Sequence, residues 1–206
     1  MLKEVFISLV SKYSVDKEYA NSLWDEIAKN HSKKNRYYHN LSHLENLYYN
    51  LLSIQEEILD WDIILFAIFY HDFVYNVLKQ DNEEQSAQKA IDVLRSLSID
   101  PERIQLCKEI ILATKGHQIS EKMDVNHFTD ADLSILGSTW ADYETYYKNV
   151  RKEYKYYPDF MYNKGRIKVL KHFIDMPRIF KTDYFYNTLE NQAKNNLRQE
   201  INLLSK

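Results

Sequence analysis

The chain has 206 residues, 27 Lys and Arg against 30 Asp and Glu, a formal net charge of −3, and a single cysteine, Cys107. That length suits one domain with a core large enough to need no covalent staples. A lone thiol excludes an intrachain disulfide framework and makes a reducing cytoplasm the expected compartment, and the net charge argues against a general nucleic-acid binder.

The first ten residues are apolar in part but interrupted by Lys3 and Glu4 and lack a small-residue cleavage signal. Neither a signal peptide nor a membrane span is expected there. Three glycines and three prolines leave few turns and little punctuation for sheet, so the expected fold is all-α, a single helical bundle.

Taken in order, residues 2–12 and about 16–30 carry apolar positions at helical spacing, with Asp16 as an N-cap before Ala20, Leu23, Trp24 and Ile27. A polar, basic break over 31–36 leads into a segment in which His39 and His43 stand four residues apart, so on a helix they share one face. Asp60 or Asp62 opens the next helix, whose run from Ile63 to Tyr70 is apolar on every side and therefore central. Eight apolar residues are too few to span a bilayer. The run ends in the adjacent pair His71-Asp72.

After a looser segment, Asp81 or Asn82 can cap a helix with Glu83 and Glu84 in its first turn. Ser98 to Pro101 breaks it and starts another, Pro101 lying near N1, and Gly116 is the expected C-terminal stop. A polar loop over 118–126 precedes the segment with Asp130 and Asp132. From Thr139 onward two or three long helices follow, with Pro158 and Asp183 at their starts. No repeat or linker divides the chain, which reads as one domain over 1–206, with a motif core at 36–137 and a helical part at 139–206.

Charge is uneven. Residues 1–144 hold 14 basic against 24 acidic side chains, and residues 145–206 hold 13 against 6. A basic C-terminal part beside an acidic, metal-holding site suits an anionic ligand; a solvated basic helix face is the plainer reading of the same pattern.

The chemistry-bearing residues form four pieces: His39 with His43, His71-Asp72, Glu83-Glu84, and Asp130 with Asp132. Imidazoles with carboxylates and no thiolates suit Zn, Mn, Fe or Mg. Two His and two Asp leave coordination positions open for water and substrate, as in a catalytic rather than a structural site.

The strings Arg36-x-Tyr38-His39-Asn40-x-x-His43, His71-Asp72-x-x-Tyr75, Asn82-Glu83-Glu84-x-Ser86-Ala87 and Asp130-x-Asp132-Leu133 resemble the HD superfamily of metal-dependent phosphohydrolases. They are closest in pattern to a subgroup known mostly as predicted HD phosphohydrolases. The resemblance implies an all-helical fold, a divalent metal (one ion or two) and His43, His71, Asp72 and Asp132 as ligands. The string around His39 is also similar to the start of the cyclic nucleotide phosphodiesterase site, which implies His39 as general acid and His43 as ligand, although the reverse assignment stays open. A free imidazole can donate a proton at neutral pH where a metal-bound one cannot readily do so.

Where nucleotidase-like and alarmone-hydrolysing relatives carry acidic residues just after the His-Asp pair, this chain has Phe73 to Asn76. Glu83 and Glu84 are the nearest carboxylates, to orient water or share a second metal, or simply to complement a helix macrodipole. The Gly-Tyr-Pro extension of cyclic dinucleotide phosphodiesterases is missing. Arg36, Lys115, His117 and Arg166 are candidates for phosphate, His117 also for a second metal, Tyr38 and Tyr75 for stacking on a base or sugar, and His31, His127 and His172 are expected to be structural or exposed.

The function expected is hydrolysis of a phosphate ester or anhydride in a small, nucleotide-like metabolite. An HD-fold di-iron oxygenase and a non-catalytic nucleotide-binding module are the alternatives. The expected partner is a small anionic phosphorylated substrate, with neither nucleic acid nor membrane, and a homo-oligomer is left open.

Overall fold

A computed structural model of the chain describes residues 1–205. Ten α-helices, two short 3-10 turns and the connecting loops make up the described residues, with no strand among them, so the fold is all-α. The chain packs as two compact units, Met1–Thr129 and Asp130 onward.

In the first unit, α1 is Leu2–Ser11, α2 Lys17–His31, α3 Leu41–Leu52, α4 Trp61–Tyr70, α5 Asn82–Ser96 and α6 Pro101–Ala113; α7, Met123–Asp132, begins there and runs on past the boundary. The starts follow local chemistry. The Asp16 carboxylate accepts the Tyr19 amide at 2.9 Å, Asn40 Oδ1 accepts the Ser42 amide at 2.9 Å, and Asp60 Oδ1 accepts the Ile63 amide at 3.2 Å. Each satisfies a helix-terminal N–H that has no partner within the helix.

Helix α4 is the centre of this unit. All eight residues from Ile63 to Tyr70 are buried, and α1, α3, α5 and α6 pack around it. Phe69 meets Phe6 of α1 edge-on at 4.9 Å and Trp24 of α2 at 6.3 Å. Burial of each such side chain contributes about 1.5–3 kcal/mol, which is why this short helix stays in place without an amphipathic pattern.

Three local expectations change. Asp81 sits at the N-cap position of α5 without bonding the helix backbone; its carboxylate instead accepts from Gln85 Nε2 at 2.7 Å. Gly116 is not the left-handed residue after α6. No glycine among the described residues has positive φ, and His117 takes φ 50° with its amide on the Ala113 carbonyl at 2.8 Å. The expected loop up to residue 126 is shorter, because α7 starts at Met123. There the Asp124 carboxylate accepts the amides of Leu59 and Asp60 at 3.0 and 2.9 Å, fastening the start of α7 to the entry of α4.

The second unit opens with a 3-10 turn, Leu133–Gly137, followed by α8, Trp140–Glu153, α9, Asp159–Asp175, and α10, Asp183–Leu204. Thr139 caps α8, and the starts of α9 and α10 fall where Pro158 and Asp183 placed them. The turn lies against α10 so closely that a Cβ on Gly137 would come within 2.8 Å of the Leu189 carbonyl oxygen. Asn196 of α10 donates to the carbonyls of Leu136 and Ser138 at 2.8 and 2.9 Å. Further along α10, buried Glu200 accepts from Arg166 Nε and Nη2 at 2.8 and 3.0 Å and from the Tyr143 hydroxyl.

Candidate functional site

Helix α4 ends by delivering two polar residues. His71 is its C-cap, 2% exposed, with its amide on the Ala67 carbonyl and Nδ1 3.0 Å from the Ile68 carbonyl. A carbonyl can only accept, so Nδ1 carries a proton and Nε2 is the ring atom left facing its neighbours. His43, buried in the first turns of α3, brings its own Nε2 to 3.2 Å from that atom. Asp72 Oδ2 lies 3.3 Å from His71 Nε2 and 3.7 Å from His43 Nε2.

Burial alone would raise the Asp72 carboxyl, but the imidazoles of His71 and His39, the hydrogen bond from His71 and the nearby His43 outweigh it and hold the group well below the usual carboxylate range. Asp72 is therefore anionic. Two ring nitrogens and a carboxylate oxygen meeting this closely need a cation between them, whether a proton or a metal.

The donors fit a metal. Ligands at the roughly 2.1 Å typical of Zn–N bonds stand about 3.4 Å apart in a tetrahedron, close to the observed spacing of the two Nε2 atoms. His71 also has the Nδ1–H to carbonyl bond that fixes the tautomer of a ligating histidine. Asp132, the last residue of α7, belongs to the same group: His43, His71 and Asp132 each offer a ligand atom, all within 4.8 Å of one another. This group could hold a metal ion.

Several motif residues hold this corner together. Arg36, buried, donates from Nη1 to the carbonyls of His39 and Asp72 at 3.1 and 2.6 Å and from Nη2 to that of Phe73 at 3.0 Å. It ties the His39 strand of chain to the turn after α4. Ser86, fully buried, accepts the Val74 amide at 3.0 Å and faces the Val74 carbonyl at 3.3 Å. Asn82 pairs with both backbone groups of Asn76 at 3.0 and 3.1 Å. The His39 ring stacks on Tyr75 at 4.2 Å and 27°, and its centroid is 5.9 Å from that of His43. Tyr38 meets His39 and His43 at 5.0 and 4.9 Å.

Most of the remaining candidates have other partners. Lys115 Nζ binds Glu84 at 2.6 Å and the Gln80 carbonyl at 2.6 Å, with Glu83 at 3.8 Å. His117 is the half-exposed left-handed residue after α6. Arg166 is paired with Glu200 within the second unit. Asp130 is fully buried and accepts from the Lys181 amide and ammonium and from the Thr182 amide and hydroxyl, all between 2.7 and 2.9 Å, which makes it an anchor for the chain entering α10.

Two of the histidines expected to be structural or exposed are buried: His127 at 2% exposure and His31 at 1%. The position of His31 was legible, since it continues the buried stripe Ala20, Leu23, Trp24, Ile27 one helical step on. No protein-family model matches this chain, and none of the curated proteins searched is significantly similar to it.

Proposed function

We propose that this protein is a metal-dependent phosphohydrolase that cleaves a phosphate ester or anhydride of a small, nucleotide-like metabolite. The observation that carries the reading is the convergence of His43 Nε2, His71 Nε2 and Asp72 Oδ2 within 3.2–3.7 Å at the end of a helix buried from Ile63 to Tyr70, with Asp132 in the same ligand group. His43, His71, Asp72 and Asp132 would hold the ion. A bound divalent ion there supplies Lewis-acid polarisation of a phosphoryl oxygen and a water of lowered pKa.

The chain's own groups do the rest. His39, held beside the ligands by its stack on Tyr75, donates the proton to the leaving oxygen. Arg36 orients the backbone on both sides of the site through its three carbonyl contacts. Of the two carboxylates at the start of α5, Glu84 is hydrogen bonded to Lys115 whereas Glu83 stands 3.8 Å from it, so Glu83 is the one assigned to orient the attacking water. A metal with an oxygen substrate in place of water would make the same ligands an oxygenase, and oxygen uptake by the loaded protein separates that case.

The test is metal analysis of the purified protein, followed by hydrolysis assays on the metal-loaded form with an aryl phosphate, a diester and a nucleotide panel. Turnover of a phosphorylated substrate, lost in Asp72→Ala, supports the reading. A fully loaded protein that turns over none of them overturns it. His39→Ala is expected to lower kcat by about 10²–10⁴-fold, the usual worth of a positioned general acid, while metal content is retained.

A further inference from the structure

The second unit carries a surface that the metal group does not use. At the corner between α8 and α9 three large apolar side chains stand in solvent: Tyr156 at 64% exposure, Phe160 at 74% and Met161 at 50%. The corner is firmly built. Arg151 donates to the carbonyls of Tyr154 and Tyr157 at 2.9 and 3.0 Å and to the Asp159 carboxylate at 2.6 Å, and its guanidinium lies 4.7 Å over the Tyr162 ring. The rings of Tyr154 and Tyr162 pack behind it at 5.7 Å. Tyr156 and Phe160 are thus carried on a fixed, convex tip, where apolar surface is unfavourable in water until something covers it.

The charge around this tip has one sign. The exposed positions Phe160, Met161, Lys164, Lys168, Val169 and Lys171 of α9 fall on one side of the helix, away from buried Tyr162 and Leu170. Lys155, Lys164, Lys168 and Lys171 enter no ion pair among the described residues. From Lys152 to His172 the carboxylates are Glu153, which is buried, and Asp159, which Arg151 neutralises. Cations therefore flank protruding apolar groups with no counter-charge supplied by the chain.

This combination selects the occupant. A second copy of the chain meeting the face about a two-fold axis sets lysine against lysine. Nucleic acid satisfies the lysines but leaves Met161 and Val169 without an apolar partner. A lipid surface with anionic headgroups satisfies both: the ammonium groups face the headgroups while the apolar tips enter the boundary with the acyl chains.

We propose that the α8–α9 corner and the exposed face of α9 dock the protein reversibly on an anionic phospholipid surface, with Tyr156, Phe160 and Met161 entering the headgroup layer and Lys155, Lys164, Lys168 and Lys171 facing its negative charge. This is attachment at the interface rather than a span, and it replaces the sequence-based expectation of no membrane partner. It does not depend on the hydrolase reading, because it uses no residue of the metal group.

The experiment is co-sedimentation of the full chain with vesicles of phosphatidylcholine alone and of phosphatidylcholine with phosphatidylserine at roughly four to one. Binding to the phosphatidylserine vesicles is expected to exceed binding to phosphatidylcholine and to fall as salt is raised. Each of Lys164→Ala, Lys168→Ala and Lys171→Ala weakens it about fivefold, and Phe160→Ala about tenfold. These side chains are exposed, so the variants should melt as the parent does. No binding to phosphatidylserine vesicles at low salt, equal binding to phosphatidylcholine, or binding that survives the three lysine substitutions combined overturns the proposal. So does indifference to Phe160→Ala, or a tighter association with single-stranded RNA that displaces the protein from the vesicles, which would assign the cations to nucleic acid.

Discussion

At the scale of single residues, two buried histidines behave in opposite ways because of what faces them. His71 has an anionic carboxylate 3.3 Å from its Nε2 and reads as a ligand, whereas burial first, and then the charge of Arg36, keep His31 neutral. The consequence for His31 is a pH-dependent stability. Its folded pKa, about 3, lies below the roughly 6.5 of an unfolded histidine, so between those values the unfolded chain binds a proton that the native state refuses. Its contribution is complete above about pH 6.5 and is lost as pH falls. At about 1.4 kcal/mol per unit, this amounts to on the order of 3 kcal/mol by pH 4. Urea unfolding of the protein and of His31→Gln in phosphate-free buffer checks it: the variant is expected to lose less stability between pH 6.5 and 4, and equal slopes would exclude the assignment. For Asp72→Ala the expected result is loss of bound metal with the far-ultraviolet helical signal retained, since the side chain is at the tip of α4 and not in its packed body.

At the scale of elements, the entry of α4 is held by Asp60, which caps the helix and also accepts from Arg103 Nε and Nη2 at 2.7 and 2.8 Å. Burial pushes its carboxyl up, but Arg103 and the Ile63 amide prevail and hold it below its ordinary value. Asp60→Ala is therefore expected to cost about 2 kcal/mol at pH 7. Because the folded pKa is depressed, that gap should be present above the unfolded value of about 4 and close as pH falls through the folded one. Denaturant titrations at pH 7 and in acid measure it, and a gap that persists undiminished in acid would show that charge is not the cause. In the second unit, Gly137→Ala puts a methyl group against the backbone of α10; a loss of about 1–3 kcal/mol is expected from the overpacking, and thermal melts would reveal it.

At the scale of the whole molecule, no helix among the described residues is long and apolar enough to cross a membrane. On the metal reading, any ion that binds only the native state raises its stability by about 2.7 kcal/mol at a hundredfold excess over Kd. For a chain of this size that is a rise of roughly 5–10 °C in Tm. Melting with and without added Mn²⁺ or Zn²⁺, and after chelation, tests this. The shift should vanish in Asp72→Ala, and an equal shift in that variant would place the ion elsewhere. Part of the basic charge of the C-terminal part, which suited an anionic ligand on sequence grounds, is paired inside its own unit: Arg151 with Asp159, Arg166 with Glu200, Lys181 with Asp130 and Lys194 with Glu190.

What the sequence determined by itself was whatever depends on neighbours along the chain. Period, caps and scarcity of glycine and proline specified the helices, the Asp16 start, a start at Asp60 or Asp62, the buried run from Ile63 to Tyr70 and the adjacency of His71 and Asp72, because propensity and capping act over three or four residues. The tertiary structure alone decided how the motif residues divide. Spacing could not say that His43 turns its Nε2 to His71, that Arg36 and Ser86 serve the backbone around the pair, that Asp130 anchors α10 while Asp132 joins the ligands, or that Lys115 and Arg166 are taken up by glutamates. Each of those outcomes depends on which buried donor lies nearest in space to which acceptor, and partners separated by 28 to 51 residues are brought together only by the packing of helices around α4 and α10.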